Sequence, residues 1–181
     1  FIFERIGFSA KMNELEAAVG IGNLDVYRKI LNQRRRNLYY LIDQFRQFKP
    51  YLATIEKEPH EEIGPHALPM IIQEEAGFTR NQLVGYLETN GIDTRTLFSS
   101  MPTQCAGFKY LGHALGDYPN AEYIGEQGIH IGVHQNLGRK ECDYILNVLS
   151  DFISKHKRSP FVKTTLRNQR SASRHTIRGA K

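Results

Sequence analysis

The stretch Gly7-Phe-Ser-Ala-Lys-Met-Asn-Glu-Leu-Glu-Ala-Ala18 decides how this sequence of 181 residues is interpreted. Asn13 and Glu16 stand three residues apart, which is the spacing of a capping box, where each side chain accepts a hydrogen bond from the other residue's backbone amide. Small and apolar residues follow as far as Gly22. The stretch therefore predicts the start of a helix at Asn13, and its small residues would let another backbone approach closely.

A long amphipathic helix is predicted directly downstream. Apolar residues recur at helical spacing between Leu24 and Phe48, and Pro50 ends the pattern. Three consecutive arginines, Arg34–Arg36, lie in its middle. We expect this helix over about residues 24–48, and a helix of that length in so short a chain often bridges two domains or sheets.

The remaining elements alternate between strands and helices. The pattern predicts strands over 51–57 and 66–73, followed by a helix that begins at a second capping box at Thr79 and ends at Asn90-Gly91. A strand or extended loop over 92–98 and a loop-rich stretch over 99–118 come next. The last predicted elements are a short helix from Pro119, a strand over 129–133 and a helix after Gly138. This order predicts a small α+β sandwich with helices on one face of a mainly antiparallel sheet. Periodicity by itself gives no function.

The net charge of +5 is a property of the C-terminal tail. Residues 155–181 contain nine lysines and arginines and no acid, whereas the rest of the chain carries 15 basic and 19 acidic residues. Such a tail is most often a solvated terminus, and we expect it to be disordered. The alternative function is a non-enzymatic module that binds nucleic acid or a membrane through this tail. Phe161 is its only aromatic residue, which argues against a platform for stacking single-stranded bases and makes nucleic acid an unlikely partner.

Composition narrows the class of protein. Apolar residues make up 40% and charged residues 24%, as in a soluble globular protein, and we expect a cytoplasmic location. Cys105 and Cys142 lack the spacing of a metal or redox motif and are expected to be reduced. His130 and His134 would share a strand face but lie too far apart for one metal ion, so no metal site is predicted. The sequence lacks an initiator Met and a signal peptide, and we expect it to be part of something longer.

Three segments resemble, in order, the DegT/StrS family of sugar aminotransferases, which depend on pyridoxal phosphate. The stretch Gly7–Ala18 is similar to the family's signature G-[YF]-N-x-[RK]-M-[ST]-E-x-x-A-A, which a long arginine-rich helix follows there as here. Gly91-Ile-Asp-Thr-Arg95 is similar to the "GI-x-T" strand of the family's small domain. Pro119-Asn-Ala-Glu122, followed by a strand and a final helix, is similar to the family's "P-x-A-E". The resemblance covers about residues 4–154.

The resemblance implies an α/β protein of fold type I, in which a large doubly wound domain holds the cofactor and a small C-terminal α+β domain closes over the substrate. Residues 1–22 would end the large domain, 23–50 would be the connecting helix, 51–154 the small domain, and 155–181 the basic tail. The family's active sites lie at a dimer interface, so the full-length protein is expected to be a homodimer.

The implied chemistry acts on a nucleotide-linked keto-deoxysugar, by aminotransfer or deoxygenation, in polysaccharide or lipopolysaccharide biosynthesis. The most similar branch contains 3-dehydrases of CDP-4-keto-6-deoxyhexoses, in which a histidine replaces the lysine that otherwise holds the cofactor as a Schiff base. That position, and the aspartate that pairs with the pyridine nitrogen, would lie upstream of Gly7. No catalytic residue is therefore expected in this chain, and no activity from it alone.

Four residues are candidate contacts for cofactor or substrate. Ser9 takes the position of the signature's Asn, which in the family reaches the cofactor phosphate of the neighbouring subunit, and a serine hydroxyl can donate one hydrogen bond there. Lys11 would place a positive charge near that phosphate. Arg95, whose guanidinium suits a diphosphate, and Phe98 are expected on the side of the sugar nucleotide.

One surface is expected to be uncovered. In the family the first helix packs against the large domain, whose strands are not in this sequence. The helix face formed by Leu15, Ala18, Val19 and Gly22 should therefore be exposed.

Overall fold

The computed structural model describes residues 12–97 and 101–156. Its elements are, in chain order, α1 (Glu14–Phe45), β1 (Leu52–Ala53), β2 (Ala67–Ile72), α2 (Arg80–Thr89), β3 (Thr94–Thr96), α3 (Pro119–Gln127), β4 (Gly128–Gly132) and α4 (Arg139–His156). Short 3₁₀ segments lie at Arg46–Phe48, Pro102–Gln104 and Ala106–Leu111. This order confirms the predicted α+β unit.

The strands form one antiparallel sheet in the order β1-β2-β4-β3. The central pair, β2 and β4, runs from Ala67 opposite Gly132 to Ile71 opposite Gly128. Because side chains alternate along a strand, β2 and β4 each direct every second residue to the same face of the sheet. That face is buried beneath α1, α2 and α4, whereas α3 lies where β2 ends and β4 begins.

The hydrophobic core fills the space between this face and the three helices. Its largest fully buried members come from the sheet and from each of the three helices: Leu52, Leu68, Met70, Ile129, Ile131, Leu38, Leu41, Phe45, Leu83, Leu87, Leu149 and Phe152. Burying a side chain of this size contributes about 1.5–3 kcal/mol. The core therefore fixes the sheet relative to α1, α2 and α4, which among the described residues all pack on this one face.

The first helix is longer than predicted. α1 begins at Glu14 and continues without interruption to Phe45, so the two helical patterns in the sequence belong to one helix of 32 residues. The predicted capping box is present, since the Glu16 amide donates to Asn13 Oδ1 at 2.9 Å and the Asn13 amide donates to Glu16 Oε2 at 3.3 Å. The domain boundary expected between residues 22 and 23 falls inside this helix, and the division into domains stays a prediction.

The two halves of α1 differ in burial. Its C-terminal half, from Asn37 onward, contributes to the core, whereas residues 18–29 are all exposed. Leu15 and Val19 are 76% and 60% exposed, and Ala18 and Gly22 are exposed as well. The expectation of an uncovered face is therefore confirmed.

The first strand is shorter than predicted. Only Leu52 and Ala53 of the expected strand 51–57 pair with β2. The ladder ends before it reaches Pro69 of β2, which has no amide hydrogen to donate to a partner strand. A side chain takes over there, because the Thr54 hydroxyl donates to the Pro69 carbonyl oxygen at 2.6 Å.

The predicted boundaries of α2 agree with the structure. A capping box starts α2 at Thr79, where the Gln82 amide donates to Thr79 Oγ1 at 3.3 Å. Gly91 follows the helix with φ of 73°, the left-handed conformation that glycine favours at this position. Of the predicted tail, Lys155 and His156 end α4, and residues 157–181 lie outside the described part of the chain.

Candidate functional site

The face of the sheet opposite the core carries Arg95 and His130. Arg95 of β3 lies directly opposite His130 of β4, and His130 lies opposite Pro69 of β2. Residues opposite one another in an antiparallel pair direct their side chains to the same face. The three residues therefore form one row across the sheet, on the side away from Ile129 and Ile131, which are in the core.

A second histidine joins this row from the segment before β2. The rings of His66 and His130 lie edge to face, with their centroids 5.9 Å apart. Arg34 of α1 fixes the backbone there, because its Nε donates to the Pro65 carbonyl at 2.9 Å and its Nη2 donates to the His66 carbonyl at 2.9 Å. The first helix therefore positions His66 through two carbonyl groups.

The electrostatics of this row follow from burial and charge. Partial burial, followed by the positive charges of His66 and Arg95, lowers the pKa of His130 below its ordinary value of 6.5. Arg95 is exposed, and within residues 12–97 and 101–156 no carboxylate forms an ion pair with it. The row therefore presents uncompensated positive charge next to an imidazole that is mostly neutral near pH 7.

A glutamate at the start of α3 braces the loop that follows β3. Oε1 of Glu122 accepts hydrogen bonds from Gln104 Nε2 at 2.6 Å, from the Gly116 amide at 2.8 Å and from the Tyr118 amide at 3.3 Å. The Gln104 hydrogen bond, followed by that of the Gly116 amide, lowers the pKa of Glu122. An ionised Glu122 therefore holds both ends of the segment 104–118.

The loop that Glu122 braces presents apolar side chains to solvent. Phe108, Tyr110, Leu111 and Leu115 are between 43% and 80% exposed. Tyr118, at the end of the loop, shares a hydrogen bond of 3.0 Å with His113 Nδ1. The loop is therefore shaped by polar contacts at its ends and is open to contacts along its length.

A buried asparagine ties α1 to the segment that leaves β4. Asn37 is 4% exposed, and its Nδ2 donates to the carbonyl oxygens of His134 at 2.8 Å and Leu137 at 3.0 Å. Its Oδ1 accepts a hydrogen bond from Gln33 Nε2 at 3.0 Å. These contacts fix the chain immediately after the strand that carries His130.

The structure describes one of the four residues predicted to contact cofactor or substrate. Arg95 lies exposed on β3, with Thr94 half-buried before it. Ser9, Lys11 and Phe98 lie outside the described residues, so their roles stay predictions. His66 and His130, which lie beside Arg95, were not predicted from the sequence as candidate contacts. The alternation of His130 with Ile129 and Ile131 predicts that His130 lies on the face of the strand opposite the core. Its neighbours on that face depend on strand pairing, which the sequence does not show.

The described residues do not fit the chemistry that holds pyridoxal phosphate. A Schiff-base lysine is enclosed together with its cofactor, whereas every lysine in residues 12–97 and 101–156 is exposed. The same residues contain no group of three His, Cys, Asp or Glu side chains placed to hold a metal ion. No helix in this part of the chain is long and apolar enough to cross a membrane.

Comparison with known proteins identifies the family to which this chain belongs. The sequence pattern of the family described as "DegT/DnrJ/EryC1/StrS aminotransferase family" matches residues 1–150. The chain is 31% identical to GDP-4-keto-6-deoxy-D-mannose 3-dehydratase of Escherichia coli O55:H7, over 82% of this chain and 38% of the relative. It is 26% identical to dTDP-4-dehydro-2,6-dideoxy-D-glucose 3-dehydratase of Saccharopolyspora spinosa, over 86% of this chain and 34% of the relative.

A solved structure agrees with these relatives. The crystal structure of a GDP-4-keto-6-deoxymannose-3-dehydratase, which contains a trapped adduct of pyridoxal phosphate and glutamate, superimposes with a TM-score of 0.70 at 29% identity. The match covers 82% of this chain and 38% of that protein. The chain thus spans little more than a third of the length of the proteins that it matches. The predicted family, fold class and cofactor class are confirmed at the level of these relatives.

Proposed function

Because the chain belongs to the DegT/DnrJ/EryC1/StrS aminotransferase family, we propose that it is the C-terminal part of an enzyme that depends on pyridoxal phosphate and modifies a nucleotide-linked keto-deoxysugar. The observation that carries this proposal is the match to 3-dehydratases of nucleotide-linked sugars over more than four-fifths of the chain. The names of these relatives specify GDP- and dTDP-linked sugars, whereas the branch that the sequence resembles acts on CDP-linked sugars, so the proposal does not fix the nucleotide.

In this proposal the chain supplies substrate contacts and the rest of the protein supplies catalysis. Arg95, exposed and without an ion pair among the described residues, binds the diphosphate through its guanidinium. Phe98 contacts the sugar nucleotide, while Ser9 and Lys11 contact the cofactor phosphate of the neighbouring subunit in a homodimer. The residue that holds the cofactor belongs to the part of the enzyme that this chain does not contain.

The reaction is either aminotransfer or removal of a hydroxyl group from the sugar. Pyridoxal phosphate, when bound, supplies an electron sink for bonds at the sugar carbon. The described residues bind and orient the substrate and contribute no proton transfer. We propose a cytoplasmic enzyme of polysaccharide or lipopolysaccharide biosynthesis.

A fusion protein tests this function. This chain replaces the matching C-terminal part of the E. coli dehydratase, and consumption of GDP-4-keto-6-deoxy-D-mannose is measured. We expect turnover from the fusion and none from this chain alone. In the fusion, Arg95→Ala should raise KM at least about tenfold, since a lost charge-assisted bidentate contact costs about 1.5–3 kcal/mol.

Matched controls make the result interpretable. Arg46→Ala removes another exposed arginine, outside the sheet, and should leave KM unchanged. A fusion that folds and binds the cofactor, but has the same KM with and without Arg95, would contradict the proposed contact. Turnover by this chain alone would contradict the proposal that the rest of the protein supplies catalysis.

A further inference from the structure

We propose that His66, His130 and Arg95 together form a diphosphate-binding site on the face of the sheet opposite the core, and that protonation of His130 strengthens the binding. The choice of a nucleotide-linked diphosphate as the ligand rests on the proposed function. The involvement of the histidines does not, because it follows from their placement beside Arg95.

The first support is geometric. Arg95 and His130 are opposite one another on neighbouring strands, which places their Cβ atoms about 4.5–5.5 Å apart. The His66 ring approaches His130 to a centroid distance of 5.9 Å. Three nitrogen-bearing side chains thus converge on one patch, and Arg34 holds the backbone of one of them through the Pro65 and His66 carbonyls. A patch with hydrogen-bond donors from three sides matches a ligand with several anionic oxygens.

The second support is the balance of charge around His130. From β3 it faces Arg95, and from the segment before β2 it faces His66. β2 itself carries no titratable residue. On α3, Glu122 is engaged by the loop that it braces and Glu126 is exposed. Asp93, exposed just before β3, forms no ion pair with Arg95, and within the described residues no other carboxylate pairs with the patch, so an anion would supply the counter-charge.

The third support is the linkage between protons and ligand. Burial and two positive neighbours oppose protonation of His130 in the free chain. A bound anion offsets the positive charge of these two neighbours, so the pKa of His130 should rise when the ligand binds. Affinity must then increase as pH falls through the range between the two pKa values, because linkage is reciprocal. A rise of about one unit corresponds to about a tenfold gain in affinity.

The experiment titrates the full chain with GDP-mannose, whose diphosphate diester keeps the same charge from pH 8 to pH 5.5. Binding is measured by calorimetry, and the ring proton signals of the histidines are followed by NMR. We expect affinity to increase about tenfold between pH 8 and pH 5.5, and the pKa of His130 to rise at saturation. Guanosine, which has no phosphate, should show neither effect.

Three variants identify the residues. His66→Ala removes an exposed side chain that would donate one hydrogen bond to the ligand, so it should fold normally and weaken binding about threefold. The double variant with His130→Gln should lose the pH dependence altogether, and Arg95→Gln should weaken binding at every pH. His60→Gln, which removes an exposed histidine outside the sheet, is the control and should behave like the parent chain.

The outcomes separate this site from the proposed function. The proposal is wrong if His66→Ala binds as tightly as the parent chain, if the double variant keeps the full pH dependence, or if millimolar GDP-mannose does not shift the His130 signals at pH 5.5. An active fusion combined with any of these results would leave the enzyme assignment intact without the histidine site. An inactive fusion, combined with histidine-dependent binding by this chain, would overturn the enzyme assignment alone.

Discussion

Replacement of Asn37 by alanine should destabilise the chain more than any surface substitution on the same helix. The side chain is 4% exposed and donates to two carbonyl oxygens, those of His134 and Leu137. The Leu137 carbonyl also accepts from Gln33 Nε2 at 3.2 Å and the His134 carbonyl from the Leu137 amide at 3.1 Å, so the truncation leaves each carbonyl with one partner. The cost is therefore that of two lost hydrogen bonds, each of which contributes about 0.5–1.5 kcal/mol.

Urea unfolding measures this effect. We expect Asn37→Ala to lower the free energy of unfolding by about 2 kcal/mol, and because m is about 1–3 kcal/mol/M for domains of this size, the midpoint should fall by about 1 M. Asn32→Ala, an exposed asparagine of the same helix, is the control and should change stability by less than about 0.5 kcal/mol. Equal midpoints for Asn37→Ala and the parent chain would refute the view that this side chain ties α1 to the segment after β4.

Three further predictions concern the loop, the sheet and the cofactor. Glu122→Gln should make trypsin cleave faster after Lys109, because the ionised carboxylate holds the loop through its hydrogen bonds. The folded chain lowers the pKa of Glu122, so this stabilisation should be complete above the pKa of the unfolded chain and should be lost as pH falls through the pKa of the folded chain. Gly128→Ala should cost about 1–3 kcal/mol in thermal unfolding, because a Cβ there would collide with the Ile124 carbonyl oxygen, whereas Gly132→Ala meets no atom within 4 Å. Borohydride reduction with pyridoxal phosphate should leave no stoichiometric lysine adduct on this chain.

Each of these predictions has a contrary outcome. Unchanged cleavage after Lys109 in Glu122→Gln would mean that the backbone holds the loop without the carboxylate. Equal losses of stability for alanine at Gly128 and Gly132 would remove the steric argument. A single modified lysine, identified by mass spectrometry, would show that this part of the protein contains a cofactor-binding lysine after all.

Local signals in the sequence predicted the helix boundaries well. The capping boxes at Asn13 and Thr79 and the glycine at Gly91 act over a few residues, so their effect can be read from spacing. The continuity of α1 was harder to predict, because small residues at Gly20 and Gly22 weaken a helix without ending it. The short β1 reflects a contact with Pro69 that lies 15 residues along the chain from Thr54.

The candidate site was only partly predictable for the same reason. Arg95 was found through its motif, and its place opposite His130 follows from the pairing of β3 with β4 in the structure. The approach of His66 to His130 depends on the register of β2 against β4, which joins residues about sixty positions apart. The bracing role of Glu122 was equally invisible, because its partners Gln104 and Gly116 reach it through the path of an irregular loop.

The uneven burial of α1 has a consequence for how this helix opens. Its exposed half has no core contacts, contains Gly20 and Gly22, which each cost about 1 kcal/mol relative to alanine, and relies on the capping box at Asn13. Its other half contains Leu41, which is fully buried. Hydrogen exchange along this single helix should therefore form a gradient, from amides near Leu41 that exchange only on global unfolding to amides near Val19 that exchange by local fraying. One continuous helix thus contains residues at both extremes of local stability, so its N-terminal half can unwind and re-form while the sheet stays folded.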